Sequence, residues 1–334
     1  MIRKILIRSL LGMVLILCII ATAGISILLE SKEFAFSQIG EKPTKMIDNN
    51  PFTVSVDPES QTIAEEDLLG KDNYETLAQS HSSSDDWRGK ITAFLYRHEW
   101  YQNLASPVSR IIVIWPGERK EEIAANTGDV LHWNKKQREE FVQIITDTEP
   151  VIPDGKFYPG QYVAYRNATP QEVAAMIQEK FTTDILNRYT DEVSVKVPLE
   201  DALVIASLLE REASDFENMR EISGVIWNRL FDDMPLQLDA TLQYVRGGRP
   251  AEKHWWPAVK PADKYLKSPF NTYANKGLPP APIGNPSAAA VIAALNPRPT
   301  DCIFYFHDKN QGYHCSVTYE EHVRKLKQQY GRGK

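Results

Sequence analysis

The run from Ala202 to Leu209, Ala-Leu-Val-Ile-Ala-Ser-Leu-Leu, most narrows what this chain can fold into. It holds no charge, no proline and no glycine. Its apolar side chains would lie on more than one side of a helix, which places that helix inside a protein rather than on its surface. Asp201 stands before the run and Glu210-Arg211-Glu212 closes it. Carboxylates at the end of a buried helix are costly unless paired, protonated or opened onto a cleft. This stretch is therefore the first candidate for chemistry.

The N-terminus carries a second strong signal. Arg3, Lys4 and Arg8 precede Ser9 to Leu29, a run without charge. As a helix it would be about 31 Å long, close to the hydrocarbon thickness of a bilayer. The cations would stay in the cytoplasm. A cleaved signal peptide ending at Ala21-Thr22-Ala23 is the alternative, but the apolar run continues past that site to Leu29. The expectation is a short cytoplasmic N-terminus (1–8) and a single-pass anchor in the inner (plasma) membrane (9–29). The remainder would then be periplasmic.

With 334 residues the chain has room for about two domains. Its 43% apolar and 25% charged residues allow a folded core. A net charge of −6 gives no basic face for nucleic acid. Cys302 and Cys315 are the only cysteines outside the anchor. A hairpin would make them diagonal rather than opposite neighbours, which leaves their pairing open.

Residues 30–86 read as a polar, acidic linker in which Phe52 to Val56 alternates like one strand. Residues 87–150 read as a small α/β subdomain. It has a strand at Ile111 to Trp115, a Pro116-Gly117 turn, a helix at Glu121 to Asn126 and another from Asn134. That strand–turn–helix–helix order outlines a LysM-like, glycan-binding module. Residues 151–330 are mainly helical. Thr169-Pro170-Gln171-Glu172 is a capping box with proline at the first helical position. Ser214 to Glu217 has the same box pattern, and Asn285-Pro286 reads as the start of a helix through Leu295. Met234 to Thr241 and the Gly247-Gly248 region read as loops. Cys302 to Phe306 and Tyr313 to Val317 form a hairpin, and Thr318 caps a last helix to about Tyr330. The fold class expected is α+β.

The sequence has no H-E-x-x-H, C-x-x-C, G-x-S-x-G or glycine-rich phosphate loop, so neither metal nor cofactor is expected. What remains is a carboxylate among Asn, Gln, Thr, Tyr and Trp, residue types that suit sugars. Glu210 and Glu212 lie about 200° apart on a helix and cannot share one cleft as a close pair. Glu212 continues the line of Ile205, Leu208 and Leu209, and Glu210 falls on the side of Leu203 and Ala206. Geometry alone does not choose between them.

The order of motifs adds a resemblance. Val204-Ile-Ala-Ser-Leu-Leu-Glu-Arg-Glu-Ala213 is followed by Ile222-Ser-Gly-Val-Ile-Trp-Asn-Arg-Leu230 and Met234-Pro-Leu-Gln-Leu-Asp-Ala-Thr241. Asn271-Thr-Tyr273, Gly277-Leu-Pro-Pro-Ala-Pro-Ile283, Asn285-Pro286, Asn296-Pro297 and Gly312-Tyr-His-Cys-Ser316 complete the series. The chain resembles the MltG/YceG-like endolytic murein transglycosylases from about Ile111 to Tyr330. The resemblance implies a lysozyme-like catalytic domain, with Glu212, the second glutamate of an E-[KR]-E motif, as the catalytic acid. It also implies peptidoglycan as substrate, with cell-wall synthases and division proteins as partners. Two departures stand out: Asp239-Ala240-Thr241 replaces the usual D-P-T, and Ala281 replaces the glycine of P-P-G-P.

Candidates for substrate contact around Glu212 are Gln237, Asp239, Asn271, Tyr273, Asn285, His314 and Ser316. Each has a structural alternative: turn hydrogen bonding for Gln237 and Asp239, loop anchoring for Asn271 and Tyr273, an N-cap for Asn285, and hairpin structure for His314 and Ser316. The expected reaction cuts the MurNAc–GlcNAc β-1,4 bond without water and leaves a 1,6-anhydro end. The alternatives are a non-catalytic wall-binding or scaffold protein, and a hydrolytic muramidase with Asp239 as second carboxylate.

Overall fold

The computed structural model describes residues 50–64 and 108–331. The expected anchor at 9–29 lies outside the described residues. No helix among those described is long and apolar enough to cross a membrane.

Residues 50–64 differ from the expected linker. Phe52, Val54 and Val56 are buried on one side of an extended segment, as a two-residue period requires. The Phe52 N–H donates to the Arg188 carbonyl at 2.9 Å and the Ser55 N–H to the Leu295 carbonyl at 3.0 Å. This segment ends in a short antiparallel pair, β1 (Val56–Asp57) with β2 (Thr62–Ile63). The alternation of Phe52 to Val56 marks an extended segment, but the acidic composition of the wider stretch gives no sign that it docks.

The small unit runs strand, helix, helix, strand. Its strand β3 (Ser109–Ile114) leads into α1 (Lys120–Val130) and α2 (Lys135–Thr146) and is paired antiparallel with β4 (Gly160–Tyr165). Helix α2 opens on a full capping box between Asn134 and Gln137. Trp133, Phe141 and Phe157 pack ring to ring at 5.4 and 5.6 Å between the helices and the sheet. The pairing of β4 with β3 carries this unit to Tyr165, past the expected boundary at 150.

The helical unit follows: α3 (Pro170–Asp184), α4 (Asp191–Lys196), α5 (Leu199–Glu212), α6 (Phe216–Phe231), α7 (Asp239–Gly247) and α8 (Ala288–Leu295). It ends in the hairpin of β5 (Phe304–His307) and β6 (Tyr313–Ser316) and in α9 (Tyr319–Tyr330). The apolar run from Ala202 to Leu209 lies within α5. Every residue from Ala202 to Leu209 is buried, and each Leu or Ile withdrawn from water contributes about 1.5–3 kcal/mol.

Helix α8 is buried along its whole length. Its alanines let α5 and α6 approach closely, and Trp227 Nε1 donates to the Ala294 carbonyl at 2.9 Å. Gly224 on α6 meets backbone as well, since a Cβ there would lie 2.3 Å from the Arg298 carbonyl oxygen.

Two caps differ from the sequence reading by a residue or two. Asp215, not Ser214, caps α6 by accepting from the Asn218 N–H at 2.9 Å. Ser287, not Asn285, caps α8 by accepting from the Ala290 N–H at 3.2 Å. Asp and Ser are equally good caps, so local preference did not separate the neighbours.

Candidate active site

Glu212 is the last residue of α5 and half-buried. Two donors from different elements reach its carboxylate. The Ala240 N–H donates to Oε1 at 3.4 Å, and the Tyr305 hydroxyl donates to Oε2 at 3.1 Å. Ala240 lies in the first turn of α7, where backbone N–H groups have no partner within the helix. Tyr305 comes from β5. The carboxyl therefore sits where the end of α5, the start of α7 and the hairpin meet.

Burial pushes Glu212 above the ordinary glutamate range, and nearby Asp239 adds to the rise. The Ala240 N–H, the Tyr305 hydroxyl and Arg211 pull it back in part. The group can therefore hold a proton more readily than an exposed glutamate and yet is supplied with donors for its ionised form. Burial, then the Glu212 charge, holds the Tyr305 phenol well above its usual range, so that hydroxyl stays a donor.

Glu210 faces elsewhere, as helix spacing requires. Its Oε1 accepts from the Ser287 N–H at 2.8 Å and the Ser287 hydroxyl at 2.5 Å, at the start of α8. That is a structural bond between α5 and α8. Arg211, between the two glutamates, lies over the Trp256 ring at 3.9 Å.

Of the other candidates, the structure brings Asp239 and Tyr273 to Glu212 as a bonded pair. Asp239 is the first residue of α7, a helix the sequence reading took for loop. Its Oδ1 accepts from the Tyr273 hydroxyl at 2.7 Å. Burial and that hydrogen bond hold the Tyr273 phenol protonated. Gln237 lies just before this helix with an exposed side chain and a positive φ of 55°. Its backbone N–H donates to the Thr272 carbonyl at 3.0 Å. A non-glycine residue held at positive φ beside a candidate centre stores strain that surrounding contacts must support.

The remaining candidates go elsewhere. Asn271 is fully buried and donates to the Lys264 and Leu266 carbonyls at 3.0 and 2.8 Å, so it anchors a loop. Asn285 is also fully buried and joins the two units: its Oδ1 accepts from the Gly155 and Phe157 N–H groups at 2.7 and 3.0 Å. Its Nδ2 donates to the Glu118 carbonyl at 2.9 Å and to Asp154 Oδ1 at 2.5 Å.

His314 and Ser316 lie on the wrong face of the hairpin. They pair across the ladder with Phe306 and Phe304, whose rings pack on His322 of α9 at 5.7 and 5.5 Å. Strand alternation puts Tyr305 on the other face. His314 bonds Asp308 at 2.9 Å instead.

Tyr305 and the N-terminus of α7 are the parts that sequence reasoning missed. The signal for Tyr305 was alternation within Phe304 to His307. Tyr305 and His307 share a face, and His307 Nε2 bonds the Asn218 side chain at 2.8 Å on that side. Cys302 and Cys315 form a disulfide, with Cα atoms 5.8 Å apart.

The end of α5, the start of α7 and the hairpin thus bring together a half-buried carboxyl, a backbone donor and a phenol donor. The chain belongs to the YceG-like family, which it matches over residues 90–328. A protein of Bacillus subtilis named endolytic murein transglycosylase is 31% identical over 66% of this chain and 64% of its own length. One of the same name from Streptococcus pneumoniae is 28% identical over 52% of this chain and 31% of its own. The chain thus spans less than two thirds of the length of these relatives. The crystal structure of a YceG-like protein from Listeria monocytogenes superposes with a TM-score of 0.56 at 27% identity, covering 64% of this chain and 75% of that one.

Proposed function

We propose that this protein is an endolytic murein transglycosylase, anchored in the inner membrane by residues 9–29 and acting on periplasmic peptidoglycan. Glu212 is its catalytic residue, and no cofactor takes part. The observation that carries this reading is the environment of Glu212. Burial favours the protonated acid, and two fixed donors then receive the carboxylate.

The reaction needs one carboxyl in two roles. As an acid, Glu212 gives its proton to the glycosidic oxygen while the bond from MurNAc C1 to that oxygen breaks. As a carboxylate, it takes the proton of the MurNAc C6 hydroxyl. O6 then bonds to C1 and closes the 1,6-anhydro ring. The nucleophile is already part of the substrate, so neither water nor a second carboxylate is needed. Tyr305 and Ala240 keep the carboxylate in one orientation between the steps. Asp239, fixed by Tyr273, supplies negative charge near the anomeric centre as positive charge develops there. The small unit, read as LysM-like, would hold glycan beside the helical, lysozyme-like unit. Synthases and division proteins remain the expected partners.

Asp239 also gives one specific ground for a second reading, a hydrolytic muramidase, because an exposed carboxylate stands near Glu212. The products separate the two. Purified peptidoglycan digested with the protein should give anhydro-muropeptides by mass spectrometry, and Glu212→Gln should slow their release about a thousandfold. Reducing MurNAc ends would establish the muramidase instead. No release by the unaltered protein would leave a wall-binding or scaffold role.

A further inference from the structure

A cleft of about 750 Å³ opens beside the candidate centre, lined by Lys264, Tyr265, Leu266, Lys267, Pro269 and Tyr273 among others. That volume suits a ligand of several hundred daltons. Tyr273 belongs to both places. Its hydroxyl bonds Asp239, and the Lys264 ammonium stands 4.6 Å from the centre of its ring.

The cleft is electrically one-sided. Two lysines line it and no carboxylate does. Neither lysine forms an ion pair among the described residues, whereas nearby Lys276 is paired with Asp233 at 2.5 Å. Tyr265 is 86% exposed at its edge. An exposed tyrosine with Leu266 and Pro269 makes an apolar wall between the cations. The loop that carries these groups is fixed from within. Buried Asn271 bonds the Lys264 and Leu266 carbonyls, and Asn275 Nδ2 bonds the Ser268 and Asn271 carbonyls, both at 2.9 Å. A preformed site costs less to order on binding.

We infer that this cleft takes the acidic peptide carried by the sugar that is cut at Glu212. The inference rests on the proposed function, which supplies the sugar. The glycan backbone itself offers hydroxyl and amide groups, for which two unpaired ammonium groups are a poor match. The peptide on the lactyl group of MurNAc offers carboxylates and alanine methyl groups, which match the lysines and the apolar wall. Continuity through Tyr273 puts the two attachments on one molecule.

Binding separates this inference from the reaction. The probes are defined GlcNAc–MurNAc oligosaccharides, with and without the peptide, titrated calorimetrically into the full chain carrying Glu212→Gln. The peptide-bearing probe should bind about tenfold more tightly, and adding Lys264→Ala and Lys267→Glu should abolish the difference without weakening the peptide-free probe. Equal binding of both probes before those substitutions overturns the inference. So does equal weakening of both after them, which would make the cleft a further sugar site. If peptide-dependent binding is seen but the unaltered chain releases no anhydro ends, the cleft stands and the proposed reaction falls.

Discussion

Cys315 stands directly across the β5–β6 ladder from Tyr305, whose hydroxyl donates to Glu212. The disulfide from Cys315 to Cys302 therefore secures the strand opposite the one that brings a donor to the candidate acid. Asn228 reinforces the approach to that hairpin by donating to the Thr300 and Cys302 carbonyls at 2.6 and 3.1 Å.

Breaking the disulfide should weaken the site before it unfolds the chain. A cross-link across a separation of 13 residues contributes about 3 kcal/mol in the loop-entropy account. Cys302→Ser with Cys315→Ser should lower the denaturant midpoint accordingly. Turnover should fall further than the small loss of folded protein explains, because the hairpin holding Tyr305 loosens. Turnover measured with and without reductant tests this, and unchanged turnover in fully reduced protein would detach Tyr305 from the disulfide.

Tyr305→Phe isolates the hydroxyl. A hydrogen bond to a charged group is worth about 1.5–3 kcal/mol, so the rate should fall roughly tenfold or more through the step in which Glu212 is ionised. The pH profile gives a second reading with a definite sign. The phenol lowers the Glu212 pKa that burial has raised. Its loss moves that pKa further up. Because the proposed reaction starts from protonated Glu212, kcat/KM should decline above this pKa, and the alkaline limb should move to higher pH. A purely structural role would lower the rate and leave the limb in place.

Ala240→Pro tests the other donor and uses the family pattern to do so. The usual D-P-T has proline where this chain has Ala240, and proline has no N–H to give to Glu212. First-turn proline suits a helix start, so α7 should survive. The alkaline limb should again move up, because the Ala240 N–H also lowers the Glu212 pKa. Pre-steady-state rates over pH in the two variants and their combination would show whether the donors act on the same group.

Much of this arrangement was legible in the order of residues, and the parts that were not have a common cause. Helix α5 could be read because an uninterrupted apolar run leaves few alternatives. The Thr169 and Thr318 caps could be read because they are local. Helix α7 was missed because it is short and closes on Gly247-Gly248, so its glycines read as loop. Asn271 and Asn285 look like sugar-binding amides in a sequence, yet Asn271 satisfies carbonyls of its own irregular loop and Asn285 backbone groups far along the chain, and neither follows a helix or strand period. For Tyr305 the obstacle was the hairpin face. His314 and Ser316 drew attention by type, and only the register shows that they point toward α9.

Asp154 lies at the junction between the units, where Asn285 bonds it. Its carboxyl is almost completely enclosed, and burial, then the charge of Glu121, raises its pKa to about 7. The Asn285 amide and the Gly155 N–H bond its Oδ1 at 2.5 and 3.2 Å, but they do not offset the loss of water. In the unfolded chain the group returns to the ordinary aspartate value of 3.8. Between the two values the folded protein binds a proton that the unfolded chain does not. The stabilisation is therefore complete below the unfolded pKa and is lost as pH rises toward about 7, by on the order of 4 kcal/mol. Asp154→Asn keeps the size and one acceptor oxygen but cannot titrate. Denaturant midpoints from pH 4 to 8 should fall more steeply in the unaltered protein than in this variant. Parallel curves would mean that Asp154 stays ionised in place, held by Asn285 and the Lys120 N–H. Asn285→Ala, which removes its closest donor, should then destabilise most at high pH, where the carboxylate is left with the least support.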